Sequence, residues 1–109
     1  MRSAGCRRHT LFAAAMLILA SASPAAADCA SDLTASQQSL ERTRAAVAAA
    51  AGGSDAQKCA AQRRHYGALV KVREVFSRCD TGTHKGSNAA QLTSTIDDFK
   101  AKMPRGCRP

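Results

Sequence analysis

Residues 54–79 read SDAQKCAAQRRHYGALVKVREVFSRC, and the fold turns on whether they form one unbroken helix. The stretch opens on Ser54-Asp55-Ala56-Gln57, directly after Gly52-Gly53. A serine at the N-cap with glutamine three residues later is a capping box, in which two orphan backbone donors of the first turn are satisfied reciprocally. No proline follows, and the one glycine, Gly67, costs about 1 kcal/mol against alanine in a helix interior. The sequence predicts a helix over 55–79. With about 100° per residue and Cys79 at zero, Val72 falls at about 20°, Phe76 at about 60° and Leu69 at about 80°. Tyr66 then falls at about 140° and Cys59 at about 160°. The arc is wide, with the two cysteines at its edges, as suits a middle helix that faces two neighbours.

The flanking segments supply those neighbours. Residues 32–51 carry Leu33, Leu40 and Val47 at intervals of seven, with Ser36, Thr43 and Ala50 between them. This is a thin seam of small residues that allows close approach and buries little. The pair Gly52-Gly53 ends the segment as a helix C-terminus would. Residues 89–103 carry Leu92, Ile96, Phe99 and Met103 at helical spacing, with Asn88 placed to cap the start and Pro104 to end it. The expected fold is all-α: a small three-helix bundle, up-down-up, pinned by two disulfides. A two-helix hairpin with a loosely attached third helix is the alternative.

The disulfides follow from the same geometry. Of the five cysteines, Cys6 belongs to the N-terminal segment read below as a signal peptide; the remaining Cys29, Cys59, Cys79 and Cys107 are even in number, in a short chain, and none lies within a few residues of another. Zinc and redox motifs need close cysteine pairs, so a structural framework is the reading. Cys59 and Cys79 are twenty residues apart on one helix, about 30 Å, whereas a disulfide needs Cα atoms within about 7 Å. An up-down-up bundle places Cys29 beside Cys79 and Cys59 beside Cys107, and that is the expected connectivity. A break at Gly67 would undo the argument.

The N-terminus reads as a secretory signal peptide, residues 1–27. Arg2, Arg7 and Arg8 precede the apolar run 11–20 (LFAAAMLILA), and the small residues 21–27 (SASPAAA) follow. Ala25 and Ala27 place the cut before Asp28. The apolar run is too short for a membrane span, which needs about 20 residues, and no cysteine at the first new position invites a lipid. The Arg7-Arg8 pair alone is a weak twin-arginine signal. Residues 28–109 form the single helical domain. Removing 1–27 takes three of sixteen basic residues and none of eight acids, leaving a balance of +5. Export to the periplasm is expected, with release outside the cell as the alternative.

Candidate chemistry is sparse. Arg64, Lys71 and Arg78 recur every seven residues opposite the apolar arc and form a basic ridge on the outside of the helix over 55–79, which Lys85 and His84 extend. A solvated helix face is the plain alternative for such a stripe. His65 falls at about 40°, inside the apolar arc, where a histidine is a buried ligand, a pH switch or simply a hydrogen-bonded core residue. His84 and Met103 are a sparse candidate pair for copper. The run 81–87 (TGTHKGS) lacks the GxxxxGK[ST] spacing of a phosphate loop. Asp97 and Asp98 are adjacent on a helix and diverge by about 100°, so they share no proton. No catalytic residues, metal site or cofactor are assigned. The expected function is a small exported non-catalytic binding or accessory protein, its partner-binding residues Arg64, Lys71 and Arg78. An acidic protein or an anionic envelope component is the expected partner. Few aromatics are available for stacking, so nucleic acid is not expected, and neither is a stable membrane anchor after cleavage. The alternative is a periplasmic metal or small-ligand carrier using His65, His84 or Met103.

Overall fold

The computed structural model describes residues 24–80 and 86–109. Most of the expected signal peptide, together with His84 and Lys85, lies outside the described residues. Three helices account for the fold: α1 over Pro24–Ala49, α2 over Asp55–Cys79 and α3 over Ser87–Lys102. Single 3-10 turns, Ala50–Gly52 and Arg105–Cys107, follow α1 and α3. There is no strand among the described residues.

The helix over 55–79 forms as expected and is unbroken at Gly67. Its capping box is complete: Gln57 N–H donates to Ser54 Oγ at 3.2 Å, and Ser54 N–H donates to Gln57 Oε1 at 2.9 Å. A Cβ on Gly53 would collide with Gln57 Oε1, so glycine leaves that side chain room to reach back.

Two boundaries differ from expectation. α1 begins at Pro24 rather than Asp32. Proline suits the first helical position, and no breaker separates it from Asp32, so the helix runs on through Asp28 and Cys29. The expected cleavage point therefore sits within the first turns of α1. α3 begins at Ser87, and its N-cap is Gly86 in the left-handed conformation (φ 85°), not Asn88. Glycine takes that conformation without a Cβ penalty, and Ala90 N–H closes the first turn on the Gly86 carbonyl at 3.0 Å.

The bundle is centred on α2. It packs against both other helices, whereas α1 and α3 meet each other marginally at most. The buried side chains reflect this: Ala61, His65, Ala68, Leu69 and Val72 come from α2, Ile96 from α3, and Ser36 from α1. Met103 and Cys107 close the core beyond α3. Leu33, Leu40 and Val47 form the expected seam on α1 but stay half-buried. A core this thin needs cross-links.

Both disulfides join the expected partners. Cys29–Cys79 ties the start of α1 to the end of α2, with Cα atoms 5.5 Å apart. Cys59–Cys107 ties the start of α2 to the tail after α3, with Cα atoms 5.4 Å apart. They span 50 and 48 residues, and loops of that size are worth about 4 kcal/mol each in the chain-entropy account. Two arginines fasten the tail. Arg63 Nε donates to the Cys107 carbonyl at 2.8 Å, and Arg108 Nη2 donates to the Ala101 carbonyl at 2.9 Å.

Candidate functional site

The ridge residues Arg64, Lys71 and Arg78 are all exposed and share one face of α2. The ridge is not on the outside of the bundle as expected: it overlooks α1, whose small residues leave it open to solvent. Lys71 and Arg78 line an open groove of about 630 Å³ whose α1 wall is Asp32, Ala35, Ser36 and Ser39. Arg64 lines a shallower hollow near the other end, among Ala46, Ala49 and Ala60. The small residues that let α1 approach α2 also leave these hollows between the helices.

Charge in the larger groove is mixed. Arg78 Nη2 donates to Asp32 Oδ2 at 2.7 Å, and Glu74 lines the same wall. The bridge is well exposed on both sides, so it adds at most about 1 kcal/mol to stability. Its effect on the ridge is larger, because Arg78 already has a counter-charge. Lys71 and Arg64 make no ion pair among the described residues. Sequence spacing could not reveal the bridge, whose partners are 46 residues apart.

His65 sits where the three helices converge. Its Nδ1 is 2.8 Å from Thr43 Oγ1 on α1, and its ring meets Phe99 of α3 edge to face, with centroids 5.1 Å apart. Thr43 Oγ1 is also 3.1 Å from the Leu40 carbonyl. One hydroxyl hydrogen serves only one of these neighbours, so the imidazole tautomer is coupled to the Thr43 rotor. Burial, and secondarily the nearby Arg44 charge, lower the His65 pKa below 6.5. Ser36, the buried polar residue of α1, donates its hydroxyl to the Asp32 carbonyl within its own helix.

Of the residues the carrier alternative uses, His65 and Met103 are described and His84 is not. His65 and Met103 are buried, Met103 being only 2% exposed. Among the described residues no three His, Cys, Asp or Glu side chains gather closely enough to hold a metal ion. Asp97 and Asp98 are exposed on α3. No helix among the described residues is long and apolar enough to cross a membrane. The two disulfides point to an oxidising, exported environment. No known protein family, curated protein or solved structure matches the chain.

Proposed function

We propose that this is a small exported, non-catalytic binding protein that offers a basic surface to an anionic partner, in the periplasm or outside the cell. The observation that carries the reading is the exposure of Arg64 and Lys71 on one face of α2, without an acidic partner among the described residues. A cation that is already paired gains little from a new partner, whereas an unpaired one steers and holds an opposing charge. Arg78 then serves mainly to fix the helix ends through Asp32.

The test is retention of the oxidised protein on an immobilised anionic polymer, polyglutamate, as salt is raised. Retention that falls with salt, and is lost in the double variant Arg64→Glu, Lys71→Glu with unchanged far-UV dichroism, is the expected outcome. Retention that survives the double change shows that these two residues are only a solvated face. No retention by the unaltered protein, at any salt, contradicts the binding role itself.

A further inference from the structure

The up-down-up path gathers charge in a way that the α2 ridge does not show. One pole of the bundle is built from the end of α1, the start of α2 and the end of α3 with its tail, that is, residues 44–64 and 100–109. This pole holds eight basic residues and a single acid, Asp55. The remaining described residues hold four basic residues and seven acids. The bundle thus has one strongly positive end and a mildly negative remainder.

Helix ends do not account for the excess. The C-termini of α1 and α3 and the N-terminus of α2 meet at this pole, and their dipoles sum to about half a negative charge. Arg63 and Arg108 have a structural task there, holding carbonyls of the tail and of the end of α3. Lys58, Arg64, Lys100, Lys102 and Arg105 make no hydrogen bond or ion pair through their side chains among the described residues. All of them but the half-buried Lys58 are exposed.

We infer that this pole docks the protein end-on against an anionic phospholipid surface. The inference rests on the anionic-partner role proposed above, names that partner, and moves the main contact from the α2 face to the pole, which shares Arg64 with that face but not Lys71. The large apolar residues at the pole are Val47, half-buried, and Met103, buried, and no aromatic residue lies there. A protein partner draws most of its affinity from buried aromatic and aliphatic anchors, and this pole offers none exposed. A layer of phosphate headgroups needs only clustered charge on mobile side chains, which is what Lys100, Lys102 and Arg105 provide. The acidic remainder disfavours lying flat and orients the molecule with its basic end down.

The experiment is sedimentation of the disulfide-linked protein with phosphatidylcholine vesicles, made with and without phosphatidylglycerol. Binding only to the anionic vesicles, weakening as salt rises, is expected. The pair Lys102→Glu, Arg105→Glu should weaken binding by at least about thirtyfold, since it removes two cations and adds two repelled anions. The pair Arg42→Glu, Arg73→Glu makes the same change in net charge away from the pole and should weaken it far less. Equal weakening by both pairs overturns the pole as the contact, as does equal binding to neutral vesicles. Failure to bind vesicles by a protein that polyglutamate still retains overturns the lipid assignment and leaves the binding role standing. Failure on both surfaces overturns the binding role. Unchanged far-UV dichroism in both pairs keeps folding out of the comparison.

Discussion

His65 joins α1, α2 and α3 through one hydrogen bond and one ring contact. Its placement inside the apolar arc of α2 is legible in the sequence, because 3.6-residue periodicity fixes a side chain's direction on its own helix. Thr43 and Phe99 as its neighbours are not legible, because pairing across helices depends on their relative shift along the bundle axis. The lowered pKa makes His65 a pH-dependent element of stability. The unfolded chain has the ordinary value of 6.5, and the folded value lies below it. Above the unfolded value the ring is neutral in both states and the stability is fully present. As pH falls, the unfolded state takes up the proton first, so stability is lost progressively until pH has dropped through the folded value. The urea midpoint should therefore fall between about pH 7 and about pH 5, a window in which ordinary carboxylates contribute little. The slope should flatten in His65→Gln. An identical slope in that variant would show that other groups cause it.

Among the elements, α2 was the most legible, since its cap, its length and its wide arc are all local properties. The ends of α1 and α3 were less so. The small residues around Pro24 match a signal-peptide end as well as a helix start, and the left-handed backbone that makes Gly86 the cap has no side-chain signature, whereas Asn88 carries one. Gly67 supplies the test at this scale. It lies inside α2, and a Cβ there would meet nothing within 4 Å. Gly67→Ala should stabilise the protein by about 0.5–1 kcal/mol, through a smaller entropy loss on helix formation. Urea unfolding measures it. A destabilised variant would mean that α2 bends at this position, and the argument that keeps Cys59 and Cys79 apart would lose its basis.

For the molecule as a whole, helix count and cysteine pairing were legible because a straight α2 excludes Cys59–Cys79 and the up-down-up path then sets Cys29 beside Cys79 and Cys59 beside Cys107. The distribution of charge was not. The basic pole arises from three segments that meet only once the chain is folded, while spacing along one helix points to the ridge of Arg64, Lys71 and Arg78. The tertiary arrangement dilutes that ridge with Asp32 and Glu74 and concentrates charge at the end that Cys59–Cys107 closes. The same arrangement explains why the cross-links matter: α1 contributes half-buried leucines and small residues, and α3 touches α2 alone to any extent. The most direct test is thermal unfolding followed by far-UV dichroism, before and after reduction. The account predicts a cooperative transition for the oxidised protein, and loss of helical signal and of that transition once Cys29–Cys79 and Cys59–Cys107 are reduced. A reduced protein with the same spectrum and the same melting temperature would contradict it, because packing alone would then hold the three helices together.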